Sequence, residues 1–450
     1  MCVGMVPSRM PRNTGSDRGD SRRTFLRVAG AAGAVALAGC AGGGGGGSGD
    51  GDAETDASGG GSTETDAGGT ATDAGSEGAD ITLGALYPLT GPYGGLAQLM
   101  RQGNNLAVAQ INESGGINGS EVEIVGEDTQ ADPQTGNQKA RKLVEDDDAD
   151  VLFGAISSAV GAAVAGYAAE VNVPYYPVVA ADQITGENCR RTTFRYTTRA
   201  TQMATSGAPW AVDRFGTNFW IHNADYLWGN SVATAWEREA RNAGEVNVVG
   251  NTTSQLGASD FSSYISEIAA SDAEWVLTGL NGGDAVNFLK QAQSYGLKNN
   301  TTIVSPVNSF QFIRRAAGEA AIGTFASIRY FEGFDSEVNR QFVSDFTDMH
   351  GSAPDAFAHD GWTNVQMYAL AAEQAGSTDT DAIIDAQPGI EFEAPMGSTR
   401  YRECDHQAVH PVSIGEIVEP ADYEWPSMDV LQTVSSEDAI LPCSDVGCEF

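Results

Sequence analysis

The sequence predicts an α/β protein of two lobes, each built on a parallel sheet. Three observations carry this prediction. The chain has 450 residues, of which 41% are hydrophobic, and this is more chain than one hydrophobic core usually organises. Beyond residue 80, apolar strand-like runs alternate with helical patterns, which is typical of βαβ units. The alternation restarts after residue 217, which indicates a second unit of similar size.

In the first unit, apolar or alternating runs predict the strands, and apolar stripes at helical spacing predict the helices. Leu96, Met100 and Ile111 share one such stripe, and Gly115-Gly116 ends that helix. The predicted strands are residues 81–86, 121–126, 151–154 and 173–179, and the predicted helices are 96–111, 134–145 and 161–171.

The second unit repeats the pattern and is followed by two long helices. Its predicted strands are residues 218–222, 246–249 and 275–278, with a fourth near Ile303. Its predicted helices are one that ends at Ala243, one near residues 261–270 and one at residues 284–295. The helices that follow are residues 338–349 and 361–373. Because they come after the second unit is complete, we expect the chain to return through them to the first lobe.

The charge balance restricts the function. The chain has 25 Lys and Arg against 60 Asp and Glu, a formal charge of −35. Such a protein is repelled by phosphate backbones, so nucleic-acid binding is not expected. The only lysines are Lys139, Lys142, Lys290 and Lys298. An acid-rich, lysine-poor surface predicts a halophilic protein, kept soluble in concentrated salt.

The first 40 residues resemble an export signal. Arg22 and Arg23 precede a short apolar run at residues 28–38, which predicts twin-arginine export. The run ends in Leu-Ala-Gly-Cys at 37–40, which predicts lipidation of Cys40. Residues 41–79 are rich in glycine and acidic residues, so we expect a disordered tether. The folded body is therefore expected outside the cell, anchored to the outer face of the cytoplasmic membrane.

Cysteine usage fits an oxidising location. Cys189, Cys404, Cys443 and Cys448 in the body allow two disulfides and three connectivities. The short spacing of Cys443 and Cys448 favours a small terminal loop, which leaves Cys189 to pair with Cys404. A metal site at Cys404 is the alternative, but no second close pair of Cys or His supplies four ligands, so no metal is expected.

Two loops that follow predicted strands are candidates for ligand binding, since ligands bind at the carboxyl ends of parallel strands. The Pro- and Gly-rich loop at 87–95 carries Tyr93, which is expected to project over a cleft. The small-residue loop at 154–158 carries Ser157 and Ser158 and opens a helix, whose free amides suit a carboxylate. Phosphate is less expected, because the lysine of a phosphate-binding loop is missing.

Three segments stand out in order along the chain, namely GALYPLTGP at 84–92, AVAQINESGGING at 107–119 and DYLWG at 225–229. Together with several shorter segments, they resemble the receptors for branched-chain amino acids that serve ABC importers. The remaining segments are residues 127–128, 154–158, 260–262, 291–297 and 317–320. The resemblance covers residues 80–418. It implies a type I periplasmic-binding-protein fold, with two Rossmann-like lobes joined by three crossings. One lobe would hold 80–198 and 331–410, and the other 199–330 and 411–450.

The resemblance also implies the solute contacts. Ser158 matches the serine that holds an amino-acid carboxylate, and a usual threonine falls at Ala180. At Val307, no acidic residue is present to pair with an ammonium group. Asp182, Asp225 or Asp284 would have to substitute, unless the solute is not an α-amino acid. With the loop residues above, the expected site is Tyr93, Ser157, Ser158, Val179, Ala180, Tyr226, Trp228, Asn281 and Val307.

The function predicted from these features is that of a monomeric surface receptor. It would capture an amino acid, amide or urea-like solute by hinge closure and deliver it to an ABC permease. The alternative is a sensor or adhesion ectodomain without a transporter, although a long flexible tether suits import better. Neither Gly-x-Ser-x-Gly nor His-Glu-x-x-His occurs, so no enzyme activity and no cofactor are expected.

Overall fold

The computed structural model of the protein describes residues 81–450. The predicted export signal, Cys40 and the tether lie outside the described residues. The helices are α1 (Gly94–Glu113), α2 (Pro133–Glu145), α3 (Ser158–Glu170), α4 (Ala200–Phe215), α5 (Leu227–Ala243), α6 (Ser262–Ala269), α7 (Gly282–Ser294), α8 (Gln311–Ala317), α9 (Glu337–His350), α10 (Ala356–Ala375), α11 (Thr380–Ala386) and α12 (Ser436–Ala439).

The strands are β1 (Ile81–Tyr87), β2 (Val122–Asp128), β3 (Val151–Gly154), β4 (Tyr175–Pro177), β5 (Asn218–Ala224), β6 (Asn247–Ser254), β7 (Trp275–Gly279), β8 (Thr302–Ser305), β9 (Phe325–Ile328), β10 (Glu391–Ala394), β11 (Gly397–Tyr401), β12 (Ala408–Val409), β13 (Val412–Pro420) and β14 (Pro426–Val434). The predicted α/β fold with parallel-rich sheets is confirmed.

The first lobe is built on a parallel sheet with the strand order β2-β1-β3-β4. Every residue of β1 is buried, because helices cover both faces of this sheet and apolar side chains point both ways. In register, Leu83 of β1 lies opposite Ile124 on one side and Val151 on the other. A small antiparallel sheet, β10-β11-β12, shares a hydrophobic core with these strands through Tyr401 and Ala408.

The second lobe is built on a seven-stranded sheet with the order β14-β13-β9-β8-β7-β5-β6. The strands from β6 to β9 are parallel, whereas β13 and β14 form an antiparallel edge. The chain therefore passes between the lobes after β4, after β9 and between β12 and β13. Among the described residues, no helix combines the length and apolarity that crossing a membrane requires.

The two lobes are closed onto each other. A side chain at Gly95 of α1 would come within 2.4 Å of the Phe312 ring of α8, so only glycine fits there. The Phe312 amide donates a hydrogen bond of 2.9 Å to Asp355, which precedes α10 in the first lobe. The Asp182 amide donates to the Ser231 hydroxyl of α5 across 2.9 Å. These contacts hold the cleft shut.

The disulfide pairing favoured by spacing is wrong. The structure pairs Cys189 with Cys448 and Cys404 with Cys443. The physical reason is the path of the tail after β14, which returns from the second lobe between two loops of the first. The Leu441 carbonyl accepts a hydrogen bond of 2.6 Å from Arg402, which directs Cys443 to its neighbour Cys404. Both bonds therefore tie the C-terminal tail to the first lobe.

Candidate functional site

A small cavity lies between the two lobes. It is lined by Ile156, Ser158, Val178, Ala180, Tyr226, Trp228, Asn281, Val307, Arg329 and Phe357. Apart from Phe357 on α10, these residues follow β3, β4, β5, β7, β8 and β9. The cavity therefore lies at the carboxyl ends of parallel strands from both sheets, where open α/β sheets bind ligands.

A sharp turn places the start of α3 at the cavity. Gly154 and Ala155 have φ values of 99° and 55°, and a side chain at Gly154 would lie 2.4 Å from the Leu86 carbonyl oxygen. Ser158 is 1% exposed, and its hydroxyl accepts a hydrogen bond of 3.2 Å from the Ala181 amide. Its own proton remains available to a solute. No side chain caps α3, so its first amides are free of such a partner.

The start of α5 contributes two aromatic side chains. A side chain at Gly229 would lie 1.9 Å from the Ala224 carbonyl oxygen, so glycine allows the tight turn from β5 into α5. The rings of Tyr226 and Trp228 lie 6.1 Å apart. Trp228 is 3% exposed, and its indole N–H has no hydrogen-bond partner among the described residues. This N–H is a buried donor at the cavity wall.

Asn281 and Val307 complete the wall from the second lobe. The Asn281 side-chain oxygen accepts a hydrogen bond of 2.7 Å from the Gly282 amide and so caps α7. Its acceptor capacity is therefore partly used within the protein. Val307 is fully buried and apolar, so no carboxylate stands at this position of the wall.

Arg329 is the functional candidate that the sequence analysis missed. It follows β9 at a crossing between the lobes and is 3% exposed. Its guanidinium lies between the rings of Phe310 and Phe357, 4.6 Å from each centroid. One nitrogen lies 3.3 Å from Asp360 of α10. That nitrogen is Nη2. Neither Nη2 nor Nε of Arg329 makes a hydrogen bond of standard geometry within the described part of the chain.

Asp360 also contacts two other polar side chains. The Thr197 hydroxyl donates to it across 2.8 Å, and His359 Nδ1 lies 3.1 Å from its other oxygen. Burial lowers the pKa of His359, so its ring is neutral near pH 7. Burial by itself would raise the pKa of Asp360. The charge of Arg329 is among the effects that lower this pKa below its usual value, so Asp360 remains a carboxylate. Arg329 and Asp360 therefore form an ion pair, in which Nε and Nη2 of Arg329 make no hydrogen bond of standard geometry.

Three predicted site residues do not line the cavity. Tyr93 lies just behind it, where its hydroxyl faces that of Tyr226 without a hydrogen bond of standard geometry. Ser157 is buried at the start of α3, and its carbonyl accepts from the Gly161 amide. The Val179 side chain packs against α3 beside Gly161. The other six predicted residues line the cavity, together with the unpredicted Ile156, Val178, Arg329 and Phe357.

None of the three aspartates considered as ammonium partners lines the cavity. Asp182 accepts hydrogen bonds from Arg199 and from the amide and hydroxyl of Thr201, so it joins a crossing to α4. Asp225 is exposed. Asp284 is 2% exposed and accepts a hydrogen bond of 3.0 Å from the Gly257 amide. Burial raises the pKa of Asp284 to about 6.

A larger groove lies beside the crossings, along the C-terminal tail. It is open to solvent, and two of its arginines form ion pairs. Arg199 pairs with Asp182 across 2.9 Å, and Arg238 pairs with Glu239 across 2.8 Å. The smaller interlobe cavity is the stronger candidate, since its walls come from the strand ends of both sheets.

Comparisons with known proteins agree with this geometry. The family model of the periplasmic binding proteins matches residues 80–422. The Leu/Ile/Val-binding protein homolog 4 of Brucella abortus is 25% identical over 366 residues, which cover 77% of this chain and 86% of that protein.

Solved structures share the fold. A substrate-binding protein of an amino acid ABC transporter from Pseudomonas fluorescens superposes with a TM-score of 0.75 at 20% identity, covering 82% of this chain and 99% of that one. A solute-binding protein from R. palustris, solved with benzoate, gives a TM-score of 0.73 at 23% identity, covering 82% and 100%.

Proposed function

Because the chain belongs to the periplasmic binding protein family, whose members include the solute receptors of ABC transporters, we propose that it captures a small organic solute between its lobes and delivers it to an ABC permease. The observation that carries this proposal is the interlobe cavity, which takes its walls from the strand ends of both sheets. A solute in this cavity touches both lobes only when they are closed.

Solute binding favours closure of the lobes, because the solute makes more contacts in the closed state than in the open one. A ligand shifts an equilibrium toward the state that it binds more tightly. In the open state, a solute would keep only the contacts of one lobe, such as Ser158 and the start of α3. In the closed state it would also gain Tyr226, Trp228 and Asn281. The solute thus stabilises the closed form, whose outer surface the permease would recognise.

The location supports the same function. Two disulfides in the body suit an oxidising compartment outside the cytoplasm. We place the protein at the cell surface, exported through the twin-arginine motif and anchored by a lipid on Cys40. Its tether lets the folded body reach a permease in the same membrane, and its acidic surface keeps the monomer soluble in concentrated salt.

A thermal-shift screen of the full chain tests this function. The panel contains amino acids, urea, short amides, nucleosides and small organic acids, each in molar salt. A solute at 100 times its dissociation constant adds about 2.7 kcal/mol to the free energy of unfolding, so a true ligand raises the melting temperature. A panel in which no solute raises the melting temperature would contradict the receptor function.

A further inference from the structure

We propose that the solute is a small carboxylate with an apolar body and no ammonium group, held between Arg329 and the start of α3. This inference rests on the proposed receptor function, since it names the solute class of the same cavity. The polar groups around the cavity, and the hydrogen bonds that they already make, indicate which solute would fit.

The buried guanidinium of Arg329 would bind the carboxylate. Arg329 is the charged residue of the cavity lining, it is 3% exposed, and its Nε and Nη2 have no hydrogen-bond partner in the described residues. Its charge is paired with Asp360, but a buried donor that makes no hydrogen bond is costly, so such groups are usually satisfied by a ligand, water or ion. The planar guanidinium fork fits a carboxylate, which accepts two parallel hydrogen bonds.

The surroundings fix this guanidinium in place. The rings of Phe310 and Phe357 hold it from the second and first lobes respectively, each with its centroid 4.6 Å from the guanidinium carbon. Asp360 balances its charge in the absence of a solute, with 3.3 Å between the carboxylate and Nη2, and Thr197 and His359 contact the same carboxylate. The site is therefore preorganised to receive a second anionic group.

The other polar groups at the cavity are also donors. The Trp228 indole N–H has no partner. The Ser158 oxygen accepts from the Ala181 amide, so its own proton remains to be donated. The first amides of α3 add a partial positive charge. The Asn281 side-chain oxygen already accepts from Gly282. The cavity thus offers donors to a solute that accepts hydrogen bonds.

The same wall lacks a partner for an ammonium group. Among its lining residues none is acidic, and the wall at Val307 is apolar and buried. The remaining wall consists of side chains that suit an aliphatic or aromatic body, namely Ile156, Val178, Ala180, Val307 and Phe357. An α-amino acid would bury its ammonium group without a counter-charge, which is strongly unfavourable. An acid of the same shape avoids that penalty.

Three solutes with one carbon skeleton test the inference. They are 4-methylpentanoate, leucine, which adds an ammonium group, and 4-methylpentanamide, which replaces the carboxylate by a neutral amide. Isothermal titration of the full chain at pH 7.5 should show that the acid binds at least about 100-fold more tightly than leucine and about 10-fold more tightly than the amide. Benzoate serves as an acid with a flat aromatic body.

Variants then test Arg329 itself. Removing Arg329 alone leaves Asp360 as an unpaired buried charge, so the test uses the double variant Arg329→Gln with Asp360→Asn. It should weaken binding of the acid about 10- to 100-fold while the amide binds as before. Trp228→Phe keeps the ring stacking and removes one donor, and should weaken the acid by a smaller factor. Arg241→Gln, at an exposed arginine of α5, is the control and should not change binding.

The outcomes separate this inference from the receptor function. Leucine or the amide binding more tightly than the acid would overturn the carboxylate assignment and leave the receptor function intact. Equal loss of acid and amide binding in the double variant would overturn the role of Arg329. If no acid binds while another solute of the screen does, the solute class is wrong. If nothing in the screen binds, both proposals fail.

Discussion

The buried carboxylate of Asp284 gives a prediction whose size can be worked out from the structure. Asp284 lies in the first turn of α7, and burial raises its pKa from 3.8 to about 6. A raised pKa means that the protonated form stabilises the fold fully below pH 3.8, and that this stability is lost as the pH rises through 6. At neutral pH the charge therefore costs about 3 kcal/mol at most.

Asp284→Asn removes this charge and retains an oxygen that accepts from the Gly257 amide. The helix dipole favours a carboxylate at this position by about 0.3 to 1 kcal/mol, so the expected gain in the free energy of unfolding is about 2 kcal/mol at pH 7.5. In a chain of this size, that gain raises the melting temperature by roughly 2 to 3 °C. The gain should shrink as the pH falls from 6 toward 4.

Differential scanning calorimetry across this pH range measures the effect. Asp225→Asn, at an exposed aspartate, is the matched control and should change the melting temperature little at any pH. Solute affinity should not change in Asp284→Asn, because Asp284 does not line the cavity. A lower melting temperature at pH 7.5, or a gain independent of pH, would refute the burial argument. Loss of solute binding would make Asp284 part of the site.

Three further predictions concern the cleft, the tail and export. Ser158→Ala should weaken a carboxylate solute by about 1 to 3 kcal/mol, as measured by titration calorimetry, and an unchanged affinity would remove Ser158 from the site. Cys404→Ser with Cys443→Ser should lower the free energy of unfolding by about 4 kcal/mol, from a closed loop of 39 residues. A denaturation midpoint equal to that of the native protein would contradict this. Replacing Arg22 and Arg23 by lysine should trap precursor in the cytoplasm, and normal surface delivery would refute twin-arginine export.

The parallel strands could be predicted from the sequence because their burial on both faces leaves continuous apolar runs. The predicted strand at 151–154 is β3 itself, and the predicted strand at 81–86 differs from β1 by one residue. Helix α4 was missed because Ala200–Phe215 is rich in small residues and contains Pro209, so it lacks an apolar stripe. Helix α4 is instead stabilised by packing against α5 and against β9 and β13, which are distant from it in the sequence.

Some residues of the candidate site could likewise be predicted from the sequence, and others could not. Ser158 could be predicted because a small-residue loop that opens a helix is a local pattern. Arg329 could not, since the two rings and the aspartate around it come from distant segments of the chain. A signal was nevertheless present, because Arg329 stands between Ile328 and the aromatic pair Tyr330-Phe331, and a cation among such residues needs a buried partner.

The central claim is that one small solute binds both lobes at their strand ends and closes them. Hydrogen–deuterium exchange of the full chain tests it most directly, with and without the solute that gives the largest thermal shift. We expect added protection in peptides covering residues 156–161 of the first lobe and 226–232 of the second, at the same solute concentration. Protection confined to one lobe, or located only along the groove beside the C-terminal tail, would contradict the account.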